Sequence, residues 1–328
     1  MASTTTPSIL PPASPNQTYV TVSPMAGGFI TLSDKFFIHP ASPDAKRTVP
    51  SLTFLITHPG SALHNANPSK PFNLMFDLGL RKSKSLYPPV LQRHIDGRAP
   101  HNLAPGVAAQ LAAGGLDPGE VDVVMLSHVH YDHHGDPLEF PRAHFVVGHG
   151  ALDVLANGLG EIASHQHFVP GTLPAERSSE FPDPAEAQSA EKQSGEREGK
   201  EGKWKPLGPF PATLDFFGDG SVFVVDTPGH LPGHINLLCR LAEKRWIMLC
   251  ADAFHDRRLL TGEKAVGTWE GGPHGGTLCI HLDKEGAEES IRRLREFQRL
   301  AGGEVELVAA HEEEWWERNR GKAFPGKL

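Results

Sequence analysis

The sequence predicts a layered α/β protein. Short apolar runs rich in β-branched residues alternate with segments of helical periodicity, and several of these runs end in clusters of polar residues. The predicted strands are 52–56, 73–76, 121–126, 145–147, 222–225, 245–250 and 305–310. Apolar residues make up 39% of the 328 residues and charged residues 21%, which is the composition of an ordinary globular protein. We therefore expect sheets covered by helices.

Two helices are predicted from the spacing of apolar residues. Segments 107–111 and 287–300 place apolar side chains three and four residues apart, which puts these side chains on one face of a helix. Asp283 is a candidate N-cap of the second helix, and Gly302 and Gly303 are expected to end it. Both helices follow predicted strands, as an α/β pattern requires.

Two segments are too polar to fold by themselves. Residues 1–18 are predicted to be a disordered N-terminal tail, because their composition cannot bury enough apolar surface to offset the entropy of ordering. Residues 176–203 mix acidic and basic side chains with Ser, Gln and Gly, and are predicted to be a charged, disordered surface insertion. The rest of the chain, 19–328, is predicted to be a single domain that carries this insertion.

Charge and cysteine content narrow the partners and the compartment. Lys and Arg number 31 against 39 Asp and Glu, and a net charge of −8 offers no basic surface to a nucleic acid. No apolar stretch is long enough for a signal peptide or a membrane span, so no membrane partner is expected. The three cysteines show no Cys-x-x-Cys spacing, which argues against a disulfide framework and favours a cytoplasmic location. We expect a small-molecule substrate, and the sequence gives no indication of the oligomeric state.

The strongest functional signal is a histidine cluster directly after the predicted strand 121–126. His128, His130 and His133 lie within six residues, together with Asp132. In a strand-to-helix turn this spacing lets the first two histidines face one metal ion while Asp132 and His133 face a second beside it. Zinc suits such a set, because it binds neutral imidazole nitrogen and carboxylate oxygen at about 2.0–2.2 Å. The cluster therefore predicts a catalytic metal site.

This cluster resembles the His-x-His-x-Asp-His signature of the metallo-β-lactamase superfamily. The segment Thr227-Pro228-Gly229-His230-Leu231-Pro232-Gly233-His234 resembles its Thr-Pro-Gly-His-x-x-Gly-His segment. Ala251-Asp252 resembles its bridging aspartate, and Ala310-His311-Glu312 its last histidine. The resemblance extends over residues 50–315 in the correct order and implies a four-layer αβ/βα sandwich.

The resemblance also implies a ligand set for two zinc ions per chain. By this analogy His128, His130 and His230 hold the first zinc, Asp132, His133 and His311 hold the second, and Asp252 bridges them. Three protein ligands per metal and a shared carboxylate leave an open position for a bridging water or hydroxide. A set of this kind also accepts iron or manganese.

Within the superfamily, the sequence is most similar to the N-acyl-homoserine-lactonase-like branch. This finer resemblance rests on Asp77-Leu78-Gly79, on the segment 126–137 and on the absence of an appended domain. No cysteine stands at Asp132 or Asp252, which argues against the cysteine-ligated β-lactamases. Those lactonases carry a tyrosine three residues after the bridging aspartate, where this chain has His255. An imidazole there can donate or relay a proton near neutral pH, so His255 is a candidate catalytic residue.

The predicted activity is hydrolysis of a cyclic ester or cyclic amide, as in a lactonase or a lactamase, through a metal-bridging hydroxide. The zinc pair would lower the pKa of the bridging water to about 7 and polarise the substrate carbonyl. Asp132 or His255 would manage the proton of the leaving group. Three alternatives stay open: a thioesterase on the same scaffold, a phosphodiesterase that uses Arg257 and Arg258, and a catalytically silent zinc-binding module.

Overall fold

The architecture comes from a computed structural model, which describes residues 9–63, 69–160, 166–186, 203–271 and 276–328. The strands are β1 (Thr21–Ser33), β2 (Ile38–His39), β3 (Lys46–His58), β4 (Phe72–Phe76), β5 (Val123–Met125), β6 (His144–Val147), β7 (Ser178–Glu180), β8 (Lys205–Leu207), β9 (Phe210–Asp215), β10 (Val222–Asp226), β11 (Ile235–Ala242), β12 (Arg245–Ala251), β13 (Ala265–Val266), β14 (Thr268–Glu270), β15 (Thr277–Cys279) and β16 (Val305–Ala309). The α-helices are α1 (Pro89–Asp96), α2 (Val107–Ala113), α3 (Ala151–Asn157), α4 (Arg257–Thr261), α5 (Lys284–Leu300) and α6 (Glu313–Asn319). Every predicted strand and helix coincides with one of these elements, with bounds that shift by a few residues. No helix in the described part of the chain is long and apolar enough to cross a membrane.

Two six-stranded sheets face each other across an apolar layer. In strand order they are β1-β3-β4-β5-β6-β7 and β16-β12-β11-β10-β9-β8. Alternate residues of β3, such as Leu52 and Phe54, belong to one buried cluster with Leu237 and Ile247 of the second sheet. Side chains along a strand point to opposite faces in turn, so the intervening residues of β3 face away from this layer.

Helices cover the outer face of each sheet. On the first sheet, Leu111 of α2 and Val154 of α3 share a buried cluster with Met75 of β4. On the second sheet, Leu294 of α5 shares a buried cluster with Met248 of β12. The order helix, sheet, sheet, helix confirms the predicted four-layer αβ/βα sandwich.

The long helix α5 begins at its predicted cap. Asp283 has extended backbone angles, and its carboxylate accepts a hydrogen bond from the backbone N–H of Gly286 at 3.0 Å. This bond satisfies a donor of the first turn that has no partner within the helix. The helix ends at Leu300, ahead of Gly302 and Gly303 as predicted.

The N-terminal segment is ordered closer to the start of the chain than its composition predicts. Leu10 is 4% exposed and belongs to a core cluster, and Arg240 donates a hydrogen bond to the carbonyl of Pro11. The predicted disordered tail, 1–18, is therefore wrong from residue 9 onward, and the residues before it lie outside the described ranges. The average polarity of a segment misses a single apolar side chain that the rest of the fold can bury.

Part of the predicted insertion 176–203 also belongs to the fold. Strand β7 pairs in parallel with β6, and Phe181 beyond it is buried against Trp204, with ring centroids 6.1 Å apart. The prediction of disorder is therefore wrong for residues 176–186, while 187–202 lie outside the described ranges. Two aromatic rings bury enough area to hold an otherwise polar segment. That 19–328 form a single domain stays a prediction.

Parallel strand pairs gather the predicted site residues. Strands β4 and β5 are parallel neighbours, so Asp77 and Ser127, which follow them, meet at one edge of the first sheet. Strands β12 and β16 are parallel neighbours in the second sheet, so Asp252 and His311 also meet at one edge. The carboxyl ends of parallel strands thus bring together the polar clusters that the sequence places at strand ends.

Candidate metal centre

Three imidazoles converge beyond the end of β5. Nε2 of His128 lies 2.9 Å from Nδ1 of His130, which lies 3.1 Å from Nε2 of His230. Gly229, directly before His230, has φ +122°, and a Cβ atom there would lie 2.0 Å from the backbone nitrogen of Ala287. Only glycine fits this position, and the turn it makes brings His230 to the other two histidines. These histidines are the predicted ligands of the first metal.

The predicted ligands of the second metal form a neighbouring set. Asp132, His133 and His311 are all buried, and each offers a ligand atom within 4.8 Å of the others. Oδ2 of Asp132 lies 3.7 Å from Nε2 of His311. The backbone N–H of His133 bonds to the carbonyl of His130 at 3.0 Å, and this turn lets neighbouring residues of one short segment serve both sets.

The carboxylate of Asp252 lies between the two sets, with one oxygen toward each. Oδ2 lies 3.6 Å from Nε2 of His128 and 3.4 Å from Nε2 of His230. Oδ1 lies 3.4 Å from Nε2 of His133 and 3.3 Å from Nε2 of His311. This is the geometry of a carboxylate that can bridge two metal ions.

The outer nitrogens of the second set are held by hydrogen bonds. Nδ1 of His133 donates to Oδ2 of Asp77 at 2.8 Å, and Nδ1 of His311 donates to the carbonyl of Pro50 at 2.8 Å. Asp77 also accepts from the backbone N–H and the hydroxyl of Ser127, at 2.7 and 2.8 Å. Such partners fix the tautomer and the ring orientation of a metal-binding imidazole.

The first set is held in the same way, by side-chain acceptors. The three pairs are Nδ1 of His128 with Oγ of Ser127 at 2.9 Å, Nε2 of His130 with Oε1 of Gln166 at 3.2 Å, and Nδ1 of His230 with Nδ1 of His281 at 3.1 Å. Each imidazole therefore donates its proton outward and turns a lone pair inward.

The inward-facing atoms fit metal ions. Lone pairs on nitrogens 2.9–3.1 Å apart repel each other unless a cation lies between them. Nitrogens at 2.0–2.1 Å from a tetrahedral zinc ion are about 3.3 Å apart, close to these distances. Nε2 of His133 and Oδ1 of Asp252 are buried without a hydrogen-bond partner in the described residues, and both belong to the inner face of the second set.

The electrostatic environment of the site keeps Asp252 ionised and favours a proton on His133. Burial alone would raise the pKa of Asp252, but the imidazoles of His133, His255 and His311 hold this pKa well below its usual range. Burial likewise opposes the protonation of His133, but Asp252 and Asp77 raise its pKa well above the usual value. The carboxylate is therefore ionised and ready to bind a cation, and a metal ion at the second set would displace a proton.

Backbone strain is confined to two non-glycine residues beside these ligands within the described ranges. Asp77 has φ +60° and Ala251, directly before Asp252, has φ +43°. The left-handed region is unfavourable for residues with a Cβ atom and persists where the surroundings enforce it. Both residues stand where a strand ends and a site side chain must turn inward.

A pocket opens onto both ligand sets. Five of the seven predicted ligands line it, and its apolar wall is formed by Ile30, Leu32, Phe37, Leu91 and Ile280. Its volume of about 70 Å³ suits one small ring rather than a long chain. An apolar pocket that ends at a group of convergent polar atoms is the usual form of a small-molecule site.

His255, the candidate catalytic residue, is buried and lines this pocket beside the predicted ligands. Its Nε2 lies 3.1 Å from Oδ2 of Asp252, and its ring stacks on that of His311 with centroids 5.9 Å apart and planes 11° apart. Phe37 packs against the same ring at 5.0 Å. Nδ1 of His255 is buried and has no hydrogen-bond partner in the described part of the chain.

Comparison with known families agrees with this geometry. The family model for the metallo-β-lactamase superfamily matches residues 73–300, which is more than half of the chain. The chain belongs to the metallo-β-lactamase superfamily. The match includes six of the seven predicted ligands, and His311 follows it.

The chain is also similar to two curated fungal relatives and to one solved structure. The chain is 27% identical to cytochrome P450 monooxygenase mpaDE of Penicillium roqueforti over 78% of this chain and 28% of that protein. It is 28% identical to gamma-lactamase FDB1 of Fusarium pseudograminearum over 67% of this chain and 44% of that protein. The chain thus spans less than half the length of these relatives. A quorum-quenching N-acyl homoserine lactone lactonase has the same fold, with a TM-score of 0.61, 16% identity, and coverage of 95% of this chain and 100% of that one.

Two residues of this superfamily site were not predicted from the sequence. Gln166 and His281 bind the outer nitrogens of His130 and His230. His281 follows the short strand β15 just as the other site histidines follow strands, and this pattern could have identified it. Gln166 carries no comparable signal, because it lies in a loop.

The cations proposed for a phosphodiesterase are paired elsewhere. Arg257 binds Glu312 through two hydrogen bonds of 2.6 and 2.8 Å, and Arg258 binds Asp256 at 2.7 Å. Both arginines line a separate pocket that reaches His311, and neither lines the pocket that five of the predicted ligands share. The geometry therefore does not favour a phosphodiesterase.

Replacing His281 tests its hold on His230. The variant His281→Phe removes the acceptor for Nδ1 of His230, and we expect affinity for one metal ion to fall about 10- to 100-fold. Competition with a chromophoric chelator measures this affinity. His281→Asn keeps an acceptor close to the position of Nδ1 and is expected to recover most of it. Equal losses in both variants would indicate a packing role only.

Because His134 is buried in its neutral form, the free energy of unfolding is expected to be smaller in acid. Burial lowers the pKa of His134 to about 4, and the unfolded chain takes up a proton near 6.5. The unfolded state therefore binds more protons between these values, and the free energy of unfolding falls as the pH decreases through this window. Between pH 7 and pH 5, the free energy of unfolding of the metal-free wild type should fall by about 2 kcal/mol more than that of metal-free His134→Met. Urea unfolding at both pH values measures this difference. Parallel pH curves for the two proteins would contradict this.

Proposed function

We propose that the chain is a metal-dependent hydrolase that opens a cyclic ester or a cyclic amide with two zinc ions. The observation that carries the proposal is the shared position of Asp252 between two ligand sets that open onto one apolar pocket. An intact set of histidine and carboxylate ligands with open positions is typical of a catalytic site rather than of a structural one.

The named relatives support a cyclic substrate. One curated relative is a gamma-lactamase, and another is the N-acyl homoserine lactonase AttM of Rhizobium radiobacter, 26% identical over 64% of this chain and 65% of that protein. A lactone and a lactam present the same carbonyl and differ in the leaving atom. Both are therefore candidate substrates. A preference for one over the other would depend on the residues that supply a proton to the leaving atom.

Seven residues would hold the metal ions, and two of these, Asp252 and Asp132, would each have a second role. His128, His130 and His230 would hold one ion, Asp132, His133 and His311 the other, and Asp252 would join both. When bound, the ions would supply a nucleophilic water with a pKa near 7 and polarise the scissile carbonyl. Asp132, at the lining of the pocket, would accept the proton of the attacking water.

His255 would supply the proton for the leaving atom. Its Nε2 is directed at the oxygen of Asp252 that faces the first ligand set, so a proton on this nitrogen lies at the edge of the space where the scissile bond must sit. An amine leaves far less readily than an alkoxide unless it is protonated. The histidine therefore matters most for lactams.

The variant His255→Gln separates these roles. We expect kcat for a lactam to fall about 100-fold and kcat for the matched lactone to fall less, because only the amide nitrogen depends on a proton donor. Zinc content measured alongside should stay at the wild-type level. A loss of zinc, or an equal loss with both substrates, would show that His255 acts on the metals or on folding instead.

A substrate panel tests the proposed function itself. Zinc-loaded protein would be assayed with lactones, lactams and acyl thioesters of matched size. We expect ring opening of a lactone or a lactam to exceed thioester cleavage. Faster thioester cleavage would favour the alternative of a thioesterase, and no turnover in any class with two ions bound would favour a silent zinc-binding module.

A further inference from the structure

The wall of the pocket carries one guanidinium group with no acidic partner in the described residues. Arg98 lines the pocket together with the metal ligands, and no carboxylate of the described ranges lies within 4.0 Å of its side-chain nitrogens. This contrasts with Arg257 and Arg258, whose charges are balanced by Glu312 and Asp256. A cation at the wall of an apolar pocket without a counter-ion is a binding site for an anion.

The backbone of Arg98 is fixed, so its side chain has a defined reach. Its N–H bonds to the carbonyl of Ile95 at the end of α1, and its carbonyl accepts from the N–H of Thr31 in β1, both at 2.9 Å. The guanidinium approaches the hydroxyl of Tyr131, a residue that stands between the metal ligands His130 and Asp132 in the chain. Arg98 therefore lines the same cavity as the metal ligands His130 and Asp132.

The imidazole next to Arg98 adds no competing charge. Burial, followed by the neighbouring guanidinium, lowers the pKa of His94 to about 4, so this imidazole is neutral at pH 7. Part of the wall is apolar, through Leu32 and Leu91 among others, and an ion pair formed beside it is screened less than one in water.

We propose that Arg98 binds a carboxylate of the substrate. The substrates are then small-ring lactones or lactams that carry an acidic group on the side opposite the scissile bond. This inference rests on the proposed function for the identity of the scissile bond, and it adds which members of that substrate class the pocket selects.

Matched substrates test this selection. Zinc-loaded protein would be assayed with the γ-lactone 5-oxotetrahydrofuran-3-carboxylate and with its uncharged methyl ester, and the ratio of the two kcat/KM values would be compared between wild type and Arg98→Met. Wild type should prefer the acid, and the variant should lower the ratio at least about tenfold, since a charge-assisted hydrogen bond is lost. Arg93→Met, an exposed arginine of α1 outside the pocket, is the control and should keep the wild-type ratio.

A binding measurement separates this inference from the proposed function. The ketone 3-oxocyclopentane-1-carboxylate has the shape of the lactone and is not hydrolysed, and calorimetry with wild type should show at least about tenfold tighter binding than for cyclopentanone. If Arg98→Met is poorly folded, the comparison of the two ketones with wild type still shows whether the pocket prefers a carboxylate. Binding that depends on the carboxylate without hydrolysis of either lactone would overturn the proposed function and keep the acid-binding site. Hydrolysis with no preference for the acid would overturn the acid-binding site and keep the function.

Discussion

Replacing Asp252 with asparagine is expected to abolish hydrolysis and to lower the metal content from two ions to one or none. The two oxygens of Asp252 face different ligand sets, and the variant turns one of them into an amide N–H that cannot bind a cation. We expect kcat/KM to fall at least about a thousandfold, which corresponds to about 4 kcal/mol of transition-state stabilisation. Steady-state kinetics together with elemental analysis measure both effects.

The matched control is Asp226→Asn. Asp226 is a partly buried carboxylate at the end of β10, and it does not line the pocket at the metal ligands. The same chemical change there should leave metal content and kcat/KM near the wild-type values. Full activity in Asp252→Asn, or equal losses in both variants, would refute the bridging role.

Removing the metal ions is expected to lower the melting temperature on the order of 10 °C. The site buries five imidazoles with converging nitrogens and two carboxylates, and this arrangement is satisfied only when cations balance it. A ligand present at 1,000 times its Kd stabilises the folded state by about 4 kcal/mol, and a chain of this size gains about 2–4 °C per kcal/mol. Differential scanning calorimetry before and after treatment with a chelator measures the shift.

Returning zinc provides the control for this experiment. Reconstituted protein should regain its original melting temperature, and Asp252→Asn should show a much smaller shift on chelation because it holds less metal. If verified metal-free protein melts within 2 °C of the loaded form, the buried ligand sets do not depend on cations and the metal assignment fails.

The metal ligands could be predicted because they are encoded locally. His128, His130, Asp132 and His133 lie in one turn after a strand, and their relative positions follow from their spacing along a few residues. Asp252 and the last histidine each follow a strand, and the parallel pairing of β12 with β16 brings those ends together. Local spacing therefore predicts the cluster at 128–133, whereas the roles of His230, Asp252 and His311 come from the resemblance to the superfamily.

The residues behind the ligands could not be predicted in this way. Gln166 meets a ligand 36 residues away, and His281 meets one 51 residues away, through loops whose paths depend on packing. The acceptor for His311 is the carbonyl of Pro50, which any residue would offer at that position. Phe181 shows the same limit in the fold, since one aromatic side chain ordered a segment whose average composition predicted disorder.

The difference between the acceptors of the two ligand sets has an evolutionary consequence. The second set is held by the side chain of Asp77 at a strand end and by a backbone carbonyl of β3. A substitution of Asp77 would disturb the sheet, and a substitution in β3 would leave the backbone carbonyl in place. The first set is held in part by Gln166 and His281, which lie outside the two large sheets and can be exchanged with less effect on the fold. Sequence divergence is therefore expected to alter the surroundings of the first ligand set more readily than those of the second.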